Sequence, residues 1–487
     1  MKYQYNNLKS LLLIVSLFCL VQIGQSQSTL NPAAMREDFQ VFKNSISDIH
    51  PGLYWYSDST EVNRRFDKIE NAINEDLSLR EFYGLLREFY SEINCGHSWM
   101  ETPLNWKNEF EKGAYTLPIN IYFEDSLFTV LHDLTPDKKI PEGATIINFN
   151  GQPMQQVFDG LLKYAASDGF NLTRRRAFVA RNFSNLYQTY HTPDSIFKVE
   201  YALPGSTVLK VATLKGLTKV AHRQIQEERY SKGKTISTPL ASYKRLEDNV
   251  GYIDLNSFSR GWLKSNKINY KKFLKETFAS LKEKGVDKLI LDLRGNGGGS
   301  DVFGAILCQY LMKEEFEYFD RMEAVTSKFK YKDYSNTKWY NTIGVLFKKD
   351  RKKPGFFTFN YHKPLATQKP RKNAFSGELV VLTDGNTFST SADVASVLHF
   401  NERATFIGRE VGGGYYGNNS ALQYQIVLPN SKVTYYIPVI RYYSAVDNPA
   451  FFGHGVKPDM VVKSTYADRI AKKDAAMEEA ISFLKKQ

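Results

Sequence analysis

The sequence predicts an α/β protein in which a layered α/β domain follows an N-terminal helical block and an inserted, mostly β module. From residue 249 onward, strand-like and helix-like segments alternate, which is typical of a sheet covered by helices. Residues 27–112 carry apolar side chains at helical spacing, whereas residues 113–215 show short runs typical of β-strands. The 487 residues suffice for two or three folded units, and 42% hydrophobic with 24% charged residues is an ordinary globular composition.

The first 26 residues predict a secretory signal that is removed from the mature protein. Lys2 and Lys9 precede an apolar run from Leu11 to Ile23, which is short for a membrane span. A bulky residue precedes Cys19, which argues against lipid attachment there. We therefore expect an exported protein, periplasmic, in the cell envelope or secreted, with no integral membrane span after signal removal.

The helical block begins with Met35, Phe39, Phe42 and Ile46 on one face of a predicted helix, and two further amphipathic helices follow. The block ends at the segment NCGHSWM, which contains His97. Two hairpin-like pairs of strands, with a strand–turn–helix segment between them, predict the β module. Residues 216–248 are interpreted as a polar connector, residues 249–470 as the α/β domain and residues 471–487 as a C-terminal helix.

A glycine-rich turn in the segment LILDLRGNGGGSD lies between a predicted strand and a predicted helix. Gly298 and Gly299 lack a Cβ atom, so backbone N–H groups in such a turn can approach an anion closely. A phosphate is disfavoured because Ser300 and Asp301 stand where a phosphate loop has Lys followed by Ser or Thr. The turn is therefore either part of an oxyanion site or a tight connection without further function.

A second strand-to-helix connection, TDGNTFSTSAD, places Ser389 at the predicted start of a helix. A helix N-terminus favours developing negative charge, and the N–H of Thr390 is a candidate oxyanion donor. A serine at this position also serves as an ordinary helix cap, and only a neighbouring base turns it into a nucleophile. His97, His399 and His454 are candidate bases, and local sequence does not choose between them.

Three segments, VGYIDLNSF, LILDLRGNGGGS and VVLTDGNTFSTSADVASVL with the following ATFIGREVGGG, resemble the core of the C-terminal processing (tail-specific) serine peptidases. The closing segment GHGVKPDMVV and the helical block ending in Gly-His-Ser are similar to the branch with the tricorn core and the interphotoreceptor retinoid-binding proteins. The resemblance implies a crotonase-like (ClpP-like) layered α/β core and a PDZ-like β module. It also implies an exported serine endopeptidase that cleaves a polypeptide substrate.

Position by position, the resemblance assigns the nucleophile to Ser389 and the general base to His97. It assigns the oxyanion hole to the backbone N–H groups of Gly298, Gly299 and Thr390. In that arrangement His97 takes the Ser389 proton during attack on the peptide carbonyl, and backbone donors bind the oxyanion.

The chain departs from the family pattern at three places. The Ser/Lys branch has a catalytic Lys after the segment ATFIG, where this chain has REVGGG, so a Ser-His mechanism is expected. Phe452 stands where that branch often has an acid, and Asp447, the nearest carboxylate to the closing segment, is the candidate third catalytic residue. The usual Gly-Leu-Gly-Phe loop that binds substrate C-termini is not visible in the β module.

The net charge of +12 comes from basic residues spread along the chain, with the densest cluster at Phe347–Gly355. No stacking platform or recognition-helix pattern surrounds that cluster, so no nucleic-acid partner is expected. No pattern of paired Cys or His predicts a metal site, and no cofactor is expected. The oligomeric state stays open.

Three alternatives to a serine peptidase remain. A protein of the same fold could bind a hydrophobic ligand or a peptide without catalysis, and 33 Phe with 30 Tyr would suit that role. Cys95 and His97, two residues apart, would be the reactive pair of a cysteine hydrolase. An envelope scaffold would act through the β module alone. Cys95 and Cys308 also leave one disulfide open, although Cys308 in its apolar helical run is expected to be a buried small hydrophobe.

Overall fold

The computed structural model describes residues 29–74, 77–124, 126–191, 193–231, 239–336 and 343–487. The predicted secretory signal, with Cys19, lies outside these residues. Within them, no helix combines the length and the apolar character that crossing a membrane requires.

The N-terminal part is a bundle of short helices. Its elements are β1 (Thr29–Leu30), α1 (Pro32–Ile49), α2 (Ser59–Ala72), β2 (Leu77–Ser78), α3 (Leu79–Glu92), β3 (Trp99–Met100) and α4 (Leu104–Lys112). The side chains of Asn31, Asp58 and Ser78 accept hydrogen bonds from the first turns of α1, α2 and α3, which explains where these helices begin. The four apolar residues predicted on one face of α1 are fully buried.

The β module that follows is a twisted antiparallel sheet with helices. Its elements are β4 (Ile119–Glu124), β5 (Leu127–Asp133), β6 (Thr145–Phe149), β7 (Gln152–Pro153), α5 (Met154–Leu162), α6 (Leu172–Tyr190), β8 (Ile196–Ala202) and β9 (Leu209–Lys215). The strand order is β4-β5-β6-β8-β9, and β7 pairs with β6. Sequence analysis did not predict α6, because its buried apolar stripe is narrow and consists of Val179, Phe183 and Tyr187.

The α/β part begins after the predicted connector, in which the structure forms α7 (Lys219–Gln226) and β10 (Ala241–Arg245). The remaining elements are β11 (Val250–Leu255), α8 (Arg260–Ser265), α9 (Tyr270–Glu283), β12 (Lys288–Asp292), α10 (Asp301–Leu311), β13 (Phe319–Ala324), β14 (Lys348–Lys349), β15 (Phe357–Thr358), β16 (Glu378–Thr383), α11 (Thr390–Phe400), β17 (Thr405–Gly408), β18 (Asn419–Val427), β19 (Thr434–Ser444), β20 (Met460–Val461), α12 (Tyr466–Ile470) and α13 (Ala475–Lys486).

The main sheet has the order β10-β11-β12-β16-β17-β20, and all neighbours from β11 to β20 are parallel. The carboxyl ends of β12 and β16 therefore lie side by side at one edge of the sheet. The turns after these two strands are the glycine-rich turn and the connection that carries Ser389. The α/β fold class predicted from the sequence is confirmed.

A second sheet has the order β14-β15-β13-β19-β18, with β3 paired to β19. This sheet was not predicted, because β13 to β15 lie in a stretch without clear periodicity. The pairing Tyr435↔Met100 and Tyr436↔Trp99 ties the end of the helical block to the α/β part. Through this pairing, the segment with His97 is attached to an element more than 300 residues later in the chain.

Buried side chains form separate cores in the described part of the chain. The largest core runs through the helical block, helices α8 to α11, one face of the main sheet and the second sheet. The β module has a core of its own, built on residues such as Phe149 and Phe197. A smaller core packs the other face of the main sheet against α13. Cys95 and Cys308 are both free and buried, so no disulfide joins them.

Candidate active site

Ser389 lies at the turn between β16 and α11, in a backbone conformation that non-glycine residues rarely adopt. Its φ is 57° and its ψ is −129°, outside the common regions for L-residues. The Ser389 side chain makes no capping hydrogen bond to α11. Its Oγ instead lies 3.1 Å from Nε2 of His97. The alternative of an ordinary helix cap is therefore not what the structure shows.

His97 reaches Ser389 from the far end of the helical block. Its ring stacks on Phe388, with 4.8 Å between ring centroids. His399 contacts the hydroxyl of Tyr415, and His454 contacts Glu410. Of the three candidate bases, His97 is thus the one that the structure brings to Ser389.

The loop of His97 is braced by buried polar contacts. His50 accepts a hydrogen bond from the N–H of Gly52 at Nδ1, so its Nε2 carries the proton and donates to Oγ of Ser98 over 2.8 Å. Burial lowers the pKa of His50 to about 3, so this imidazole is neutral at ordinary pH. These hydrogen bonds hold Ser98, the residue that follows His97, in place.

The carboxylate beside His97 belongs to Asp168, not to Asp447. Oδ1 of Asp168 lies 3.8 Å from Nδ1 of His97 and accepts a hydrogen bond from the N–H of Gly96. Asp168 is 2% exposed. Asp447 instead lines surface cavities with Phe400. The prediction of Asp447 as the third residue is therefore corrected to Asp168.

The His97–Asp168 pair is close but not yet hydrogen-bonded. Nδ1 of His97 and Oδ2 of Asp168 are both buried and have no hydrogen-bond partner among the residues that the structure describes. An unpaired buried polar atom is costly, and catalytic hydrogen bonds are often long in free enzymes and shorten when substrate binds.

The glycine-rich turn lies directly against Ser389. A Cβ atom on Gly298 would lie 2.7 Å from the Cβ of Ser389 and 2.9 Å from the nitrogen of Thr390, so only glycine fits. The N–H of Gly298 donates to Oδ1 of Asn296 over 2.9 Å, which corrects its predicted role as a donor. Gly299 and Thr390 have N–H groups with no acceptor in the described part of the chain. They are the candidate oxyanion donors.

Two residues that sequence analysis missed hold this geometry. Asn296 is fully buried; its carbonyl accepts from the N–H of Phe388, and its side-chain amide donates to the carbonyl of Leu255. Oδ1 of Asp384 accepts from the N–H groups of Gly295 and Thr387, which joins the glycine-rich turn to the Ser389 connection. Asn296 follows β12 and Asp384 follows β16. Their positions just after parallel strands were the sequence signal that could have identified them.

The cysteine alternative does not fit the surroundings of Cys95. This thiol is fully buried, and burial, with Asp168 nearby, raises its pKa to about 12. A cysteine nucleophile must be a thiolate near neutral pH, and such residues have lowered pKa values. Cys95 is therefore a core residue.

Comparison with known families decides the identity of the α/β part. Residues 249–462 match Peptidase family S41. This stretch is an S41 peptidase domain. The match confirms the family resemblance given by the sequence motifs and indicates a serine peptidase, which acts on polypeptides. No curated protein matches the chain.

Solved structures extend the likeness beyond the S41 domain. The crystal structure of mature CPAF is similar with a TM-score of 0.64 and 14% identity, covering 92% of this chain and 96% of that chain. The structure of mature CPAF complexed with lactacystin gives a TM-score of 0.64 and 14% identity, covering 93% of this chain and 98% of that chain. The helical block and β module that precede the S41 domain thus share a fold with that protein.

Proposed function

We propose that this protein is an exported serine endopeptidase that cleaves polypeptides with Ser389 as nucleophile, His97 as general base and Asp168 as the carboxylate that orients His97. The observation that carries the proposal is the 3.1 Å contact between Oγ of Ser389 and Nε2 of His97. The two residues are 292 positions apart, and a strained serine backbone presents the hydroxyl. Strain of this kind clusters at functional sites.

In the proposed mechanism, Nε2 of His97 accepts the Ser389 proton while Oγ attacks the peptide carbonyl. The carbonyl oxygen gains negative charge and receives hydrogen bonds from the N–H groups of Gly299 and Thr390. The positive N-terminus of α11 adds to this stabilisation. His97 then protonates the leaving amine, and a water molecule, deprotonated by the same imidazole, hydrolyses the acyl-enzyme.

The test compares the parent protein with Ser389→Ala on an unfolded protein substrate. The variant is expected to lose kcat by about 10⁴-fold or more, since nothing else can form the acyl-enzyme. A serine-reactive phosphonate should label the parent and not the variant, and circular dichroism should show both folded. Equal cleavage by the two proteins would end the assignment. Absence of both cleavage and labelling in the parent would favour the ligand-binding alternative.

The proposal of export is supported by the charged, then apolar, then small-residue layout of the first 26 residues. N-terminal sequencing of protein from a cell-envelope or periplasmic fraction should find a start near residue 27. A mature protein that retains Lys2 would contradict export by this signal.

The β module is proposed to hold an extended part of the substrate, as a PDZ-like module would. β4 is an outer strand of its sheet, and an unpaired strand edge can accept a peptide as an added strand. Two cavities of about 710 and 540 Å³ adjoin along β4 and α6 and share four lining residues, Ile121, Leu131, Ala180 and Arg181. The second reaches Asn386, three residues before Ser389.

Arg181→Glu should raise KM for unfolded protein and not for short peptides. An unchanged KM for both substrates would contradict the role of the β module in substrate binding.

A further inference from the structure

Two half-exposed phenylalanines stand next to the candidate triad. Phe170 and Phe452 are each 47% exposed, although rings of this size are usually buried. Both contact the ring of Tyr56, with centroids 5.7 and 5.5 Å away. We name Tyr56, Phe170 and Phe452 the aromatic cleft. Apolar rings that remain in water beside a reactive site are available to an apolar partner.

The aromatic cleft lies next to the His97–Asp168 pair. Phe170 follows Asp168 by two residues. A Cβ atom on Gly414 would lie 3.4 Å from Cβ of Asp168 and 3.7 Å from the hydroxyl of Tyr56, so these side chains face the same glycine. The preceding Gly413 lies against the nitrogen of Ser389, 3.2 Å from where its own Cβ would be. The cleft is thus within a few side chains of the bond to be cleaved.

The rings of the cleft are held in place before any ligand arrives. The N–H of Phe170 donates to the carbonyl of Gly453 over 2.7 Å. A Cβ atom on Gly453 would lie 2.4 Å from the ring of Phe170, and Gly453 has a φ of 74°, so this close approach needs glycine. Trp55 stacks on Tyr56 with centroids 5.3 Å apart. A preorganised apolar surface binds a side chain at low entropic cost.

We propose that the aromatic cleft is a specificity subsite that takes a large apolar or aromatic side chain of the polypeptide, close to the cleaved bond. The inference rests on the proposed peptidase function and adds the substrate class. Burying such a side chain against Phe170 and Phe452 removes apolar surface of both partners from water. Aromatic side chains also gain from edge-to-face contact with these rings. Charged side chains would lose hydration without gaining a partner.

The experiment uses peptide pools in which one position at a time, on either side of the cleaved bond, is varied. At one position the parent protein should prefer Phe, Tyr or Leu over Ser or Asp by about tenfold or more in kcat/KM. Phe170→Ser and Phe452→Ser should each lower kcat/KM for the Phe peptide by about tenfold, mainly through KM. For peptides with Ala at that position, both variants should have nearly the same kcat/KM as the parent.

Tyr361→Ser is the matched control, because Tyr361 is 60% exposed and packs on Phe359 in another part of the fold. It should leave the preference intact, and circular dichroism should show all variants folded. Cleavage by the parent without any apolar preference, or a preference that survives both Phe substitutions together, would overturn the subsite alone. Failure of the parent to cleave any peptide or to react with a phosphonate would overturn the proposed function and the subsite with it.

Discussion

At the residue scale, the proposed mechanism requires a carboxylate that keeps the proton of His97 on Nδ1, so that Nε2 can accept the proton of Ser389. Asp168 is the side chain placed to do so. Asp168→Asn should lower kcat by roughly 10³- to 10⁴-fold with little change in KM, because an amide favours the wrong tautomer. Asp447→Asn is the matched control and should keep kcat near the parent value. Comparable kcat losses in the two variants would remove Asp168 from the triad.

His50 gives a pH dependence of stability whose sign follows from its lowered pKa. Its pKa falls from 6.5 to about 3 on folding because burial disfavours the imidazolium. Between these values the unfolded chain binds more protons, so stability is lost as the pH falls, by roughly 3 to 5 kcal/mol in total. Urea unfolding from pH 7 to pH 4 should show this loss, and His50→Asn should reduce the slope. An equal dependence of unfolding free energy on pH in the parent and the variant would contradict this role of His50.

At the scale of elements, the glycine-rich turn packs directly against the start of α11. Gly298 has a φ of 94°, and a Cβ on it would lie 2.7 Å from the Cβ of Ser389, whereas a Cβ on Gly297 would meet nothing within 4 Å. Gly298→Ala should therefore lower kcat about 100-fold or more by displacing the oxyanion donors. It should also cost about 1 to 3 kcal/mol of stability through backbone strain. Gly297→Ala should be close to neutral in both assays, and similar effects of the two substitutions would refute this packing.

At the scale of the whole molecule, the helical block and the S41 domain share one core, while the β module has its own. We expect the first two to unfold in one transition and the β module to unfold locally at lower cost. Phe42→Ala should destabilise the shared core by about 3 to 5 kcal/mol, and loss of phosphonate labelling should follow the same transition. Phe149→Ala should instead speed hydrogen exchange in the β module alone. If either variant sped hydrogen exchange equally in the β module and in the rest of the protein, the two cores would not be independent.

The sequence by itself determined the parts of the site that depend on local chemistry. A strand, a turn rich in glycine and a helix start are encoded within a dozen residues, so short segments made Ser389, Thr390 and Gly299 candidates, and the family resemblance assigned their roles. His97 was predicted through the family motif at the end of the helical block. The α/β class followed from the alternation of strands and helices, which is a property of neighbouring residues.

Only the tertiary structure decided which carboxylate stands beside His97 and which glycine keeps a free N–H. Asp168 lies in the short connection between α5 and α6, and nothing in its neighbours signals contact with a histidine 71 positions earlier. The side chain of Asn296 accepts the hydrogen bond of the Gly298 N–H, and no sequence pattern encodes the rotamer that allows this. The aromatic cleft likewise joins three distant segments. Such contacts form because packing of the shared core fixes their positions, and that packing is a property of the folded chain as a whole.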